Sequence, residues 1–370
     1  MKEGWEYKTL GEVATIIHGK NQKNVLSDDG EYPIYGSGGT IMGYSKEYLC
    51  SAGSTLLGRK GSINNPRFIE ENFWNVDTAF GISAKDNYYS KFIYYFCKNK
   101  DWNKLNTGTT LPSLTQSIVK SQIIPIPSLD QQRRIVSYLD SSFQLIDETK
   151  EKAQKSLSEA KALFQSALAE AMEPKEGWEE KTLGDIGSFK RGGNFTKRDF
   201  IEDGFPCVHY GQIHMKFGHI TKQHISCVPK ELVKKDRCAK KGDLIIAITS
   251  EDDEGSCKCT AWMANYEVYV GGHTAIYTHI LDPIFMSYFF QSPRFQKEKL
   301  EYTHGFKVVE INPKDIAKIP IFYPSLSTQK QIVSHLDKLS SNVKQMEEKY
   351  KKIVEECDAL KQAMLRDVFE

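Results

Sequence analysis

The chain carries two copies of one unit in tandem, and that duplication restricts its fold more than any other feature. KEGWEYKTLGEV, from Lys2 to Val13, returns as KEGWEEKTLGDI, from Lys175 to Ile186, an offset of 173 with nine of the first ten positions identical. PSLDQQRRIVSYLD (Pro127 to Asp140) returns as PSLSTQKQIVSHLD (Pro324 to Asp337) at an offset of 197. The offsets differ by 24, so the second globular part is 24 residues longer, with matched ends and a diverged interior. The fold class expected is α+β: two tandem mixed α/β domains, residues 1–127 and 174–324, with long helices over residues 128–173 and 325–370.

The matched ends read as joints. Trp5 and Leu10, with Trp178 and Leu183, are candidate anchors of each domain's start. IIPIP (Ile123 to Pro127) and IPIFYP (Ile319 to Pro324) are short apolar strands closed by proline, which cannot extend a ladder. Ser128 and Ser325 then stand as helix N-caps.

The second helix carries apolar residues at Ile332, Leu336, Leu339, Val343, Met346, Tyr350, Ile353, Cys357, Leu360 and Met364, the four-three spacing of a coiled-coil seam. The first repeats the pattern more sparsely: Leu139, Phe143, Ile146, Leu157 and Phe164 among alanines. A bulky seam fits an alanine-rich one, so the two helices are expected to pair antiparallel as a rod. About 40 residues of helix would span roughly 60 Å. Ile135, Val136, Ile332 and Val333 are expected to remain as apolar flanks for a partner.

Composition adds exclusions. The opening MKEGWEYKTL has no apolar signal-peptide core, and no run approaches the roughly 18 apolar residues of a membrane span, so a cytoplasmic protein is expected. Eight scattered cysteines do not make a disulfide scaffold. Net charge is +1, a weak footprint for a nucleic-acid binder, although residues 1–127 hold 14 Lys+Arg against 12 Asp+Glu.

Inside the domains, GSTLLGRKGSINNP (Gly53 to Pro66) matches GDLIIAITSEDDEGS (Gly242 to Ser256) in character: a β-run opening into a polar, glycine-bearing loop. NYYSKFIYYFCKN (Asn87 to Asn99) and PIFMSYFFQSPRF (Pro283 to Phe295) read as aromatic helices whose rings fill the core. A glycine turn follows each, TGTTLPSLT (Thr107 to Thr115) and THGFKVVEI (Thr303 to Ile311).

These features, twice in the same order, resemble the specificity (S) subunit of type I restriction–modification systems. The pattern is an opening GW-x-x-K-T-L-G-E/D, a glycine-bearing loop after a β-run, an aromatic helix, and a P-S-L-x-x-Q-x-x-I-V-x-x-L-D helix start. The resemblance covers essentially the whole chain. It implies that each domain is a target-recognition domain reading one half of a bipartite asymmetric site in double-stranded DNA. The helical rod would set the gap between the halves and hold two methyltransferase subunits. The chain would itself catalyse nothing: S-adenosylmethionine and ATP would be bound by partners, the latter in restriction subunits that translocate and cut. A close alternative is a specificity subunit of a combined methylase–nuclease, and one from another class is a coiled-coil scaffold whose globular ends bind proteins. An enzyme with an unrecognised site stands further off.

Base readout needs directional donors and acceptors on loops that approach a groove. In the first copy the candidates are Lys20, Asn21, the turn from Tyr35 through Ser37 to Gly39, and Arg59, Lys60 and Ser62. In the second they are Lys190, Arg191, Asn194, Lys197, Arg198, Tyr210, Thr249, Ser250 and Lys307. Cys257 and Cys259 lack the second close pair that structural zinc needs, so no metal is expected. His209, His214, His219 and His224 recur every five residues, which fits neither a helix face nor a strand face, and read as incidental. The acidic run Glu251 to Glu254 reads as a solvated loop, and no G-x-x-x-x-G-K-[ST] or N-P-P-[YF] occurs.

Overall fold

The computed structural model describes residues 3–305 and 308–370. The chain divides into two compact units, Met1–Gln154 with Tyr350–Glu370, and Lys155–Lys349. Each unit therefore contains one globular domain and a stretch of both long helices, Leu129–Met172 and Leu326–Phe369. Among the described residues no helix is long and apolar enough to cross a membrane.

The first domain has a four-stranded antiparallel sheet in the order Ala14–His18, Ala79–Ala84, Ser54–Gly58, Arg67–Ile69. Beside it Ile41–Ser45, Tyr32–Tyr35 and Trp74–Asn75 form a smaller sheet whose last pair is parallel. The second domain repeats the order with Gly187–Arg191, Thr274–His279, Leu244–Ala247 and Cys259–Trp262, then adds Ile220–Thr221 at the edge. Its smaller sheet runs Ser226–Val228, Phe205–Val208, Val268–Val270, Cys238–Ala239. Most of the extra length lies in one place. Tyr35 and Arg59 are 24 residues apart, whereas their topological equivalents Val208 and Ile248 are 40 apart, and the difference carries the helix Tyr210–Met215 and the added strand.

The first matched stretch pairs with the strand that leads into the second. Glu6–Thr9 pairs antiparallel with Ile123–Ile126, and Glu179–Thr182 pairs with Pro320–Tyr323, so each domain's first and last strands close it together. Thr9 and Thr182 donate backbone N–H to the carboxylates of Glu12 and Asp185, at 2.6 and 2.9 Å, turning the chain into the core at Leu10 and Leu183. The Ser128 and Ser325 hydroxyls then accept from the amides of Gln131 and Thr328, capping the long helices.

The aromatic helix of each domain is clamped to the long helix that follows. Buried Gln132 donates to the Pro127 carbonyl (2.9 Å) and accepts from the Tyr89 amide (2.9 Å). Buried Gln329 does the same with Pro324 (2.8 Å) and Asp282 (2.9 Å). Two turns on, Asp140 accepts from the Tyr95 hydroxyl and from Lys91, while Asp337 accepts from the Tyr288 hydroxyl at 2.7 Å. Phe92, Ile93, Tyr95 and Phe96 fill the first core, and Phe285, Tyr288, Phe289 and Phe290 the second.

In both units the long helices run antiparallel. Within the first unit Lys150 meets Asp358 (2.8 Å) and Lys361 meets Asp147 (2.5 Å); within the second Lys161 meets Glu347 (2.7 Å). Leu139, Phe143, Ile146, Leu157 and Leu336 are buried, and Phe164, Ile332, Leu339, Val343, Met346, Ile353 and Met364 are half-buried. Leu360 departs from the expected seam, with 51% of its surface exposed. The seam passes instead to Lys361, whose ammonium lies 5.2 Å from the Phe143 ring centre, and to buried Leu365. A straight helix drifts about 20° per heptad against a strict seven-residue repeat, so a seam read at fixed spacing slips by its fourth heptad. The expected flanks differ as well. Val136 and Val333 are buried, and Ile135 and Ile332 pack against the domain cores, so none is left free. Tyr138, Leu145 and Leu163 are the exposed large apolar side chains on the first long helix.

Candidate nucleic-acid interface

In the first domain a single turn, Asn75 to Thr78, gathers the loops that carry the candidates. Lys20 donates its amide to the Asn75 carbonyl (3.0 Å), and Val76 donates to the Tyr35 carbonyl (3.1 Å). The amides of Arg59 and Lys60 both reach the Thr78 carbonyl, at 2.8 and 3.1 Å. The Arg59 carbonyl in turn accepts from Leu114, which brings the Thr107–Thr115 turn to the same edge. Gly19 makes this approach possible, since a Cβ there would sit 1.9 Å from the Val76 carbonyl oxygen.

The second domain builds the same frame from different residues. Gly193 donates to Val270 (2.6 Å), Gly271 to Val208 (2.8 Å), Ile248 to His273 (3.0 Å) and Ile311 to Ile248 (3.0 Å). Gly192 takes the place of Gly19, with a Cβ position 1.9 Å from the Gly271 carbonyl oxygen. The turn Val270 to His273 is thus the counterpart of Asn75 to Thr78. Position by position, Arg59 corresponds to Ile248, Lys60 to Thr249, Thr78 to His273 and Asn21 to Asn194.

The side chains hung on the first frame are polar and cationic. Lys20, Asn21, Lys60 and Ser62 are exposed; Ser37 and Arg59 are half-buried. Arg59 donates its Nε to the Asp77 carbonyl at 2.8 Å, which fixes the plane of its guanidinium. Tyr35 is tied down: its ring meets Phe73 edge-on at 5.7 Å and its hydroxyl donates to Glu71 at 2.9 Å. Burial and the Glu71 carboxylate push that phenol up to about 12. Arg67, which no sequence motif singles out, lies against Gly39, and a Cβ there would sit 2.3 Å from its Cδ. Exposed Arg67 therefore joins the same edge through the 36–39 turn.

The second frame carries rings and hydroxyls instead. Tyr210 is flanked by His209 (4.4 Å between ring centres), His273 (5.3 Å) and His214 (6.1 Å). The Thr249 hydroxyl is 3.0 Å from His273 Nδ1, and its carbonyl accepts from His214 Nε2 at 3.1 Å. Burial, then the neighbouring His273 and Lys197, pull the His209 pKa down. Two of the four histidines expected to be incidental thus belong to this edge, with His273 as a third that sequence spacing did not reveal. The signal available was the glycine pair Gly271–Gly272 immediately before it.

The other candidates are dispersed. Arg191 pairs with Glu310 at 2.9 Å. Lys190, Asn194, Lys197 and Arg198 are exposed, the last two on a short turn capped by Thr196. Ser250 is half-buried and pairs with Val309, while Lys307 lies outside the described residues. Cys257 and Cys259 sit in the apolar core, where burial pushes both thiols up. The acidic loop Glu251–Glu254 is exposed.

Two domains with one backbone frame and two different sets of side chains on its polar edge define a tandem recognition protein. The sequence model of the type I restriction modification DNA specificity domain matches residues 2–158 and again residues 175–355. The chain belongs to that family and carries its domain twice. It is 24% identical over 386 residues to the type I restriction enzyme MjaVIII specificity subunit of Methanocaldococcus jannaschii, covering 96% of this chain and 90% of that protein. A putative type I restriction enzyme specificity subunit of Haemophilus influenzae is 24% identical over 358 residues, 91% and 88% of the two chains. Among solved structures, a chain from work on complex assembly and conformational transition of the type I R-M system superposes with a TM-score of 0.77 at 19% identity, covering 99% and 97%. The HsdS subunit from Thermoanaerobacter tengcongensis gives 0.60 at 18% identity, covering 100% and 97%.

Proposed function

We propose that this chain is the DNA-recognition subunit of a type I restriction–modification complex and that each domain reads one half of a bipartite, asymmetric site with the edge described above. The observation that carries the reading is the substitution pattern on a shared frame: Arg59, Lys60 and Thr78 in one copy stand where Ile248, Thr249 and His273 stand in the other. Equal frames suit equal docking on a duplex, and unequal side chains suit unequal base sequences. The Nε bond of Arg59 to the Asp77 carbonyl preorganises a guanidinium fork of the kind that reads guanine O6 and N7. The paired long helices are the device proposed to fix the distance between half-sites and to hold two methyltransferase subunits about the internal pseudo-symmetry. Methyl transfer with S-adenosylmethionine and ATP-driven cleavage are assigned to those partners and to restriction subunits.

The test is retention of labelled duplexes by the chain co-expressed with its methyltransferase partner. A recognition subunit discriminates between sequences under salt that suppresses non-specific binding. A protein scaffold gives no sequence-dependent retention, and that result sinks the reading.

A further inference from the structure

We propose that His273 is a specificity-determining residue of the second domain and supplies a base-edge contact in the half-site that domain reads. The inference rests on the proposed DNA-reading function and sharpens it to one side chain. His273 is exposed and sits at φ +59° in the turn that organises the edge. That left-handed backbone suits glycine, and a non-glycine residue there is a strained choice. The two glycines just before it, Gly271 and Gly272, do not take up the left-handed conformation; His273 does. The corresponding residue of the first domain, Thr78, forms the same turn without it.

The ring is held rather than loose. Nδ1 is paired with the Thr249 hydroxyl at 3.0 Å, and the ring lies 5.3 Å from Tyr210 at an angle of 62°. Thr249 is fixed in turn, because its carbonyl accepts from His214 Nε2. In the tautomer in which Nδ1 accepts from the hydroxyl, the imidazole carries its proton on Nε2 and offers one oriented donor, the partner required by the N7 and O6 acceptors of a purine in the major groove. The need for such a group is plain from the frame. Ile248 and Thr249, both buried, replace the cationic pair Arg59 and Lys60, so those positions offer no charged base reader.

The experiment maps N6-methyladenine in cells carrying the whole system, with this chain wild type, His273→Gly or His273→Asn, and measures the melting temperature of each purified methyltransferase complex. Glycine removes the side chain and relieves the backbone, so His273→Gly is expected to melt no lower than wild type. It should also lose roughly tenfold or more of the preference at one base position, in one half-site only. Asparagine tolerates the same backbone and carries a donor and an acceptor, so His273→Asn should shift the base preferred at that position. An unchanged motif in His273→Gly, or an equal loss of methylation at all sequences, overturns the proposal. If the wild type itself gives no bipartite motif, the proposed function fails, and this inference falls with it for a reason the same data identify.

Discussion

Arg59 and Ile248 occupy one position of a shared backbone frame, and the difference between them is where the two half-sites should be distinguished. Replacing Arg59 with alanine is expected to cost about 1–3 kcal/mol of binding and to relax preference in one half-site. Competition binding with duplexes altered in one half at a time checks this, and a uniform loss would make Arg59 a phosphate contact. A second prediction concerns pH. Burial pushes the His279 pKa down to about 4, against 6.5 for an exposed imidazole. Between those values the unfolded chain binds a proton that the folded chain refuses, so stability present above pH 6.5 is lost as pH falls toward 4. The loss should be on the order of 2–3 kcal/mol from this residue. Urea midpoints from pH 7 to 4.5 should show the slope, and His279→Leu should flatten part of it, with His219 and His209, depressed in the same direction, among the other contributors. An unchanged slope in the variant contradicts the assignment. At this scale the sequence was only partly legible. Lys20, Asn21, Arg59 and Lys60 could be picked by residue type on glycine-bearing loops. The hub that joins them is made of backbone hydrogen bonds, which many sequences can form, and its one trace is the pair Gly19 and Gly192 at the repeat offset. Arg67 and His273 gave no periodic signal because a turn residue and a strand-end residue carry none.

Elements were more legible than residues, because the repeated stretches are those that make the joints. The first strand of the closing ladder, the capped helix starts and the clamping residues Gln132 and Gln329 fall inside matched sequence, and the ladder's last strand runs directly into it. Asp140→Ala should remove the acceptor for Tyr95 and Lys91 and cost about 1–3 kcal/mol, and Asp337→Ala should do likewise through Tyr288. Urea denaturation of each variant checks this, and a change within about 0.5 kcal/mol would show that the aromatic helix docks by packing alone. The far end of the second long helix was harder to read. Phe369 packs on Phe92 and Phe96, with ring centres 5.1 and 5.8 Å apart, inside the first domain's core. A core contact made by the last turn of a helix follows no heptad rule. Phe369→Ala should destabilise the first unit by about 3–5 kcal/mol in the same measurement, and a neutral result would mean that this end is frayed in solution.

At the scale of the whole molecule the duplication sets the expectation. Because the shared frame is separate from the side chains it carries, exchanging residues 20–117 for the corresponding part of another recognition domain should change one half of the methylated motif and leave the other half and the gap intact. One chain is proposed to read two different half-sites at a fixed separation. Genome-wide mapping of N6-methyladenine in cells with and without this gene tests this most directly. A bipartite, asymmetric motif with an unspecified gap should disappear with the gene. A contiguous or palindromic motif, or a methylome unchanged by the deletion, would contradict the proposal.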